Sequence, residues 1–271
     1  MDAADEMELR LLLEAIYHRF QYDFRQYSPA SVRRRMVLAL RVLGCQTFSA
    51  LQDRVLHDPS AFPVLLQYLT VQVSDLFRDP KYFRVLRERV VPVLRTYPSV
   101  KIWIAGCSTG EEVYSFAILL REEGLLDKAI LYATDINAEA LRVAEAGIYP
   151  LGRMKLFTAN HHASGAPCSL ATYYTARYGS AMFDRTLRKN VVFSDHSLAT
   201  DTVFGEMQLV SCRNVLIYFE RALQDRAVGL FRDSLCLRGF LGLGAKETLR
   251  FSSREADFEV LAPEERWYRR R

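Results

Sequence analysis

Two hydrophobic textures succeed one another along the chain. Over residues 7–20 the apolar side chains Leu9, Leu12, Leu13, Ile16, Tyr17 and Phe20 recur at three- and four-residue intervals, the stripe of an amphipathic helix. Ser28-Pro29 sets a proline in the first turn of a second helix that ends near Gly44, with Val32, Met36, Ala39, Leu40 and Leu43 on its buried face. Residues 48–55 and 61–69 read as two further short helices. With no strand-like run among them, residues 1–70 are expected to form a small all-α N-terminal domain.

From residue 71 the texture changes. Residues 80–94 have a helical pattern, and then apolar runs with strand character alternate with helical segments: strands at 100–105, 129–134, 190–193, 207–210 and 240–244, helices at 111–123, 138–146 and 221–237. This alternation predicts an α/β domain over 71–271 with a doubly wound, mostly parallel, Rossmann-like sheet. Between about 158 and 190 the rhythm breaks. There the aromatic-rich stretch 173–183, around a Gly179-Ser180 turn, reads as an inserted antiparallel β-subdomain.

Composition narrows the class without naming a function. The 271 residues are half apolar and a quarter charged, as in ordinary globular proteins. No apolar run is long enough to span a bilayer, and the acidic residues Asp2, Asp5, Glu6 and Glu8 are unlike a signal peptide. The five cysteines are scattered and form no C-x-x-C pair, so a reduced, cytoplasmic protein is expected. A net charge of +4 does not suggest nucleic acid. Arg269-Arg270-Arg271 reads as a solvated tail. His161, His162 and Cys168 are expected in a solvated loop rather than at a metal, because no fourth ligand stands at a usual spacing.

The chemistry concentrates at the ends of the predicted strands. One run ends in Gly106-Cys-Ser-Thr-Gly110 and opens a helix with Glu111-Glu112; the next ends on Asp135. Small residues that admit a ligand, followed by an acid that can accept from a ribose diol, outline a nucleoside-binding βαβ unit. The spacing is Gly-x-x-x-Gly, and two carboxylates stand where a pyrophosphate would meet the helix N-terminus, so a dinucleotide is disfavoured. A cationic adenosine ligand, S-adenosylmethionine, suits the loop better. Taken singly, each feature also has a plain structural reading: Gly106 and Gly110 as turn residues, Asp135 as a helix N-cap, Glu111 as a complement to the helix dipole. Tyr218 also reads as a core aromatic, and Cys107 as a small residue at a tight turn.

Six blocks in serial order carry a resemblance. They are Arg33-Arg-Arg-Met36, Leu76-Phe-Arg-Asp-Pro80, Cys107-Ser-Thr-Gly-Glu-Glu-Val-Tyr-Ser115, Ala133-Thr-Asp-Ile136, Ala146-Gly-Ile-Tyr149 and Cys212-Arg-Asn-Val-Leu-Ile-Tyr-Phe219. Through them nearly the whole chain resembles the CheR-type chemotaxis methyltransferases, which transfer a methyl group from S-adenosylmethionine to receptor glutamates and release S-adenosylhomocysteine. The resemblance implies cofactor contacts at Gln72, Ser74, Arg78, Gly106, Glu112, Asp135, Ser197, Leu198, Arg213 and Asn214, and places Arg78 and Tyr218 near the transferred methyl. Gln72, Ser74 and Ser197 depart from the family's usual Asn, Thr and Asn.

The implied reaction explains an absence. A glutamate nucleophile, with a pKa of about 4.3, is already ionised at neutral pH, so no Ser-His-Asp or Cys-His arrangement is needed. The implied substrate is the cytoplasmic helices of methyl-accepting chemoreceptors, met by a monomer without nucleic acid, metal or membrane insertion. Residues 15–54 hold seven arginines against Asp23 and Asp53. Of these, Arg34 and Arg41, seven apart, are expected to share an exposed helix face flanked by Arg33 and Arg35, and the four to dock on acidic receptor helices. The alternative is a non-catalytic regulatory or docking module that keeps the fold, with or without the cofactor.

Overall fold

The computed structural model describes residues 3–250 and 252–271; Asp2 of the acidic start lies outside them. The chain divides into two compact units. The first comprises Met1–Gln72 with two later stretches, Ser197–Asp201 and Tyr218–Ala227; the second holds the remainder.

Four helices build the first unit: α1 (Ala3–Phe20), α2 (Pro29–Val42), α3 (Phe48–His57) and α4 (Ala61–Leu69). The periodic residues Leu12, Ile16, Val32, Met36, Ala39, Leu51 and Leu65 form its core. Pro29 starts α2, and Thr47 caps α3 by accepting from Ala50 N–H. Phe20 and Phe62 stack with ring centroids 3.9 Å apart. The later stretch joins through main-chain bonds: Ser28 N–H donates to Tyr218 O at 2.8 Å and Glu220 N–H to Gln26 O at 2.8 Å. On α2, Arg34 and Arg41 are exposed beside exposed Leu38 and Val42, and Arg33 is half-buried. Arg35 departs from the expected docking face. It is buried, donates to Leu69 O, and lays its guanidinium 4.4 Å from the centre of the Tyr218 ring, because its position on α2 falls on the same face as Val32 and Met36.

The second unit opens with α5 (Pro80–Val85), which runs through a π-helical turn (Leu86–Val90) into α6 (Val91–Leu94). Pro92 has no N–H for the carbonyl of Glu88, and the wider turn accommodates that missing bond. Then follow β1 (Val100–Ala105), α7 (Glu111–Glu122), β2 (Ala129–Asp135), α8 (Ala138–Ala146), β3 (Ile148–Pro150), α9 (Met154–Ala163), β4 (Tyr174–Arg177), β5 (Ser180–Phe183), β6 (Val191–Asp195), β7 (Met207–Cys212), α10 (Arg221–Ser234, of which the part up to Ala227 is counted with the first unit), β8 (Leu235–Leu243), β9 (Phe258–Ala262) and β10 (Trp267–Arg270). The main sheet has the order β6-β2-β1-β7-β8-β10-β9. Its first five strands are parallel, and β10 and β9 add antiparallel at one side. β1 and β2 are almost wholly apolar, as strands covered on both faces must be. After β1 and β2 the chain builds outward one way, and β7 returns on the other side of β1. The crevice between β1 and β7 is therefore the topological switch point where doubly wound sheets bind ligands.

Several expectations need correcting. The antiparallel subdomain has three strands, β3-β5-β4, and draws β3 from Ile148–Pro150, upstream of the expected start near 158. Its hairpin turns on Tyr178-Gly179, both with positive φ, one residue earlier than the expected Gly-Ser pair. His161 and His162 lie on α9, not in a loop, since Met154, Phe157 and His161 form a buried helical stripe. The helix expected to reach 237 ends at Ser234, where β8 begins against Met207 and then bulges past Arg238 (φ 65°). Nor is the arginine-rich end a solvated tail: Arg269 and Arg270 are part of β10, Arg269 lies over the Phe240 ring and Arg270 donates to Leu235 O.

A buried ion cluster fastens α7 to its neighbours. The Glu122 side chain is 1 % exposed and accepts from Arg87 Nη2 at 2.7 Å; its other oxygen lies 2.9 Å from His161 Nε2. Burial pushes the Glu122 carboxyl up, but the hydrogen bonds and charges of His161 and Arg87 outweigh it and hold the group below its ordinary value of 4.5. A lowered folded-state pKa means stability that is present above the unfolded value and is lost as pH falls through the folded one. Denaturant titrations of Glu122→Gln and the parent should differ by about 1–3 kcal/mol at neutral pH. That gap should close as the pH is taken below about 4.5; a gap independent of pH would show that the carboxylate charge contributes nothing.

Candidate functional site

Four adjacent strands, β2, β1, β7 and β8, end at the same edge of the sheet, and each delivers a loop held by a buried or half-buried acid. At β2 the acid is Asp135, whose two oxygens accept from Ser108 N–H at 2.8 Å and Asn137 N–H at 2.9 Å. Burial pushes its carboxyl above the ordinary range against the pull of those bonds. Asp135 is not the cap of α8: Asn137 fills that role, accepting from Glu139 and Ala140 N–H.

The glycine loop after β1 owes both glycines to protein neighbours. Gly110 has φ +89°, and a Cβ there would fall 2.6 Å from Ala144 Cβ on α8; at Gly106 (φ +69°) a Cβ would overlap the Val215 side chain. The small residues thus let neighbouring protein segments approach. Ser108, with φ 51°, leaves its buried hydroxyl without a partner among the described residues. The Cys107 thiol is buried, and burial pushes its pKa well above the ordinary value, which disfavours the reactive thiolate.

In the first turn of α7 the two glutamates face different partners. Glu112 accepts from Ser211 Oγ at 2.6 Å and from Arg213 Nη1 at 3.1 Å. Glu111, fully buried, accepts from Arg153 Nη1 at 2.6 Å and Thr109 Oγ1 at 2.7 Å. Both carboxylates also meet the positive end of the helix dipole. Arg213 is committed to the protein: Nη2 donates to Arg78 O at 2.6 Å and to Asp79 Oδ2 at 2.9 Å, and the guanidinium lies 4.1 Å from the centre of the Tyr82 ring.

The loop after β7 is organised from β8. Glu247 is buried and accepts from four main-chain N–H groups, those of Gly244 (2.6 Å), Asn214 (2.9 Å), Val215 (2.8 Å) and Leu216 (2.7 Å). Burial pushes its carboxyl up, and those four donors oppose it. They also hold Asn214 in the left-handed region, φ 60°.

Arg78 stands apart. Among the described residues no carboxylate pairs with its guanidinium, which makes a 3.5 Å approach through Nη1 to Val73 O. It sits between Phe77 (φ 49°) and Asp79 (φ 57°). Of the eight non-glycine residues with positive φ among the described residues, four (Phe77, Asp79, Ser108, Asn214) belong to this edge, and such strain collects where geometry has to be held.

The second unit therefore brings together Ser74, Arg78, Gly106, Glu112, Asp135, Arg213 and Asn214. Gln72, Ser197, Leu198 and Tyr218 belong to the first. There Gln72 contacts Thr70 Oγ1 at 3.5 Å, Ser197 Oγ accepts from Ala199 and Thr200 N–H, Leu198 is buried, and Tyr218 lies under Arg35. Sequence reasoning missed Glu247 and Arg153. The first had a faint signal, an acid three residues after the glycine that ends β8; the second had none, since its partner Glu111 lies 42 residues away.

These residues suit an adenosine carrying a sulfonium and an amino acid. Asp135 keeps free lone pairs for ribose hydroxyls, the Ser108 hydroxyl is unpartnered among the described residues, and Arg78 can meet a carboxylate.

Comparison with known proteins agrees. Residues 72–265 match the model described as CheR methyltransferase, SAM binding domain, and residues 7–70 match CheR methyltransferase, all-alpha domain. The Pseudomonas putida protein named "Putative methyltransferase Cher3" is 59% identical over 265 residues, covering 98% of this chain and 97% of that one. The chemotaxis protein methyltransferase of Salmonella typhimurium is 27% identical over 268 residues, covering 95% and 88%. Among solved structures, the N-methyltransferase NodS of Bradyrhizobium japonicum aligns with a TM-score of 0.41 at 11% identity over 73% of this chain and 89% of that one.

Replacing Glu247 with alanine strands several buried N–H groups. We expect a loss of about 3–5 kcal/mol in denaturant unfolding, with Glu247→Gln, which keeps one acceptor oxygen, losing about half as much. Equal losses from the two variants would mean that the N–H contacts do not govern the site.

Proposed function

Since the chain belongs to the CheR methyltransferase family and uses S-adenosylmethionine, we propose that it forms methyl esters on glutamate side chains of chemoreceptor helices in the cytoplasm. Bound at the strand ends, that cofactor supplies an electrophilic methyl group. The single observation that carries the reading is the contrast at the site edge: Arg213, Glu111 and Glu247 are committed to the protein, whereas Arg78 is left without a carboxylate.

What the protein has to do follows from the nucleophile. A glutamate is ionised at neutral pH, so the task is alignment and exclusion of water rather than proton removal. Arg78 is the group that orients a carboxylate, the cofactor's or the substrate's. Tyr218, its ring held under the Arg35 guanidinium, is the second positioning group. Asp135 holds ribose hydroxyls, and Glu112, fixed by Ser211 and Arg213, faces an amino group. Ser74, Asn214, Gln72, Ser197 and Leu198 complete the set of proposed cofactor contacts. Docking falls to the exposed arginines Arg34 and Arg41 of α2, with Arg33 beside them.

Methyl transfer from labelled S-adenosylmethionine to receptor-containing membranes, with the label released by mild base as an ester should be, tests the reading. Arg78→Ala should cut turnover by about 100-fold or more. Tyr218→Phe should lower turnover while sparing affinity for S-adenosylhomocysteine measured by calorimetry. Full turnover in Tyr218→Phe would remove its hydroxyl from the scheme. Cofactor binding without any label transfer would favour a docking module.

Reversing charge in Arg34→Glu/Arg41→Glu should weaken receptor methylation most at low salt, because steering between exposed charges is screened over about 10 Å at 0.1 M. Cofactor affinity should not move. Equal loss of both would point to misfolding.

A further inference from the structure

Glu111 is fully buried beside the site, yet nothing in the proposed reaction uses it. Its partner Arg153, which immediately precedes α9, does more than neutralise it. While Nη1 bonds Glu111, Nη2 donates to Asp75 Oδ1 at 2.9 Å and to the main-chain oxygen of Ser74. One guanidinium thus bridges the first turn of α7 to the start of the arm that carries Arg78.

The rest of that arm is tied down residue by residue. Asn160, two helical turns beyond Arg153 and so on the same face, donates to Leu76 O at 3.0 Å. Phe77 N–H donates to Ser115 Oγ at 2.8 Å, and Ser115 in turn donates to Glu111 O. Arg213 holds Arg78 O. Left-handed backbone at a phenylalanine and an aspartate is strained and persists only where the surroundings over-determine it. At the end of the arm nearer the first residue, Ser74 and Asp75, Arg153 supplies the side-chain anchor.

We propose that Arg153 is a positioning residue for the methyl transfer: by gripping Ser74 and Asp75 from the Glu111 anchor, it fixes the direction in which Arg78 presents its guanidinium. The proposal rests on the reading above that Arg78 orients a carboxylate. The Arg153 guanidinium is engaged with Glu111, Asp75 and Ser74 O, so the residue acts through Arg78. Because it stands between β3 and α9, it also joins the chain segment that builds the small antiparallel sheet to the reacting edge.

A double-mutant cycle on the full chain decides it. Arg153→Lys keeps a cation on Glu111 but lacks the planar fork that reaches three acceptors. It should bind S-adenosylhomocysteine as the parent does while kcat for receptor methylation drops about 10- to 100-fold. The Arg153→Lys/Arg78→Ala double variant should be no slower than Arg78→Ala alone, since the first residue acts through the second. Parent-like kcat in Arg153→Lys, or losses that add in the double variant, would overturn the proposal while leaving the reading of Arg78 intact. Parent-like kcat in Arg78→Ala would overturn that reading, and the proposal with it. Should the lysine variant fail to fold, Glu111→Gln/Arg153→Met, which leaves a neutral pair in the buried position, takes its place with the same expected outcomes.

Discussion

Carboxylates buried at the ends of parallel strands hold this molecule's working edge in shape. Where a strand stops, its main-chain donors lose their ladder partners and still have to be satisfied away from water. Glu247 does this for four N–H groups at once, Asp135 for two, and Glu111 and Glu112 lie against the open donors of α7. A lone buried carboxylate is costly. Each of these is offset by several donors, by an arginine or by the helix dipole, and the result is four loops whose relative geometry is set before any ligand arrives.

That arrangement explains why strained backbone can survive here. Asn214 and Ser108 hold left-handed conformations, and in both cases a main-chain N–H of that same residue is clamped by an acid, Glu247 or Asp135. The two glycines serve the same end by another route, since they let Val215 and Ala144 close in on the loop. A rigid edge suits the chemistry. When the nucleophile is ionised before it arrives, rate comes from alignment, and alignment is lost with displacements of about an ångström.

Much of the fold was legible because its signals are local. The helical stripe through Leu12 and Ile16, the proline opening α2, and the apolar runs of β1 and β2 each state their element within a few residues. Ala138–Ala146 and Ala61–Leu69 match expectation at both ends. What escaped depends on distance along the chain. β3 joins the small sheet through pairing with β5, and nothing in Ile148-Tyr149-Pro150 announces a strand. α9 was mistaken in part for loop because His161 is buried as a polar residue, facing Glu122 from 39 positions away. In the site, the glycine loop, Asp135 and Arg213-Asn214 announced themselves as strand ends, whereas Glu247 and Arg153 act on residues more than 30 positions distant. Arg35 shows the opposite error. Arg35 was expected to flank the exposed face of Arg34 and Arg41 and to dock with them, but helical geometry turns it inward to Tyr218.

Charge at the working edge divides into what is committed and what is left. Arg213 is shared among Glu112, Asp79 and a main-chain oxygen; Arg153 among Glu111, Asp75 and another; Glu247 is saturated by four donors. Arg78 has none of this, although the groups on either side of it are bonded tightly. A cation kept free on a fixed arm is unfavourable for stability in itself, since pairing would compensate it. It makes sense where a carboxylate is to arrive from outside. The half-open oxygens of Asp135 and the unpartnered Ser108 hydroxyl follow the same logic, one for hydroxyl donors and one for a neutral partner. On the proposed reading, the unmet hydrogen-bonding capacity of this edge matches a guest that carries a carboxylate and a diol.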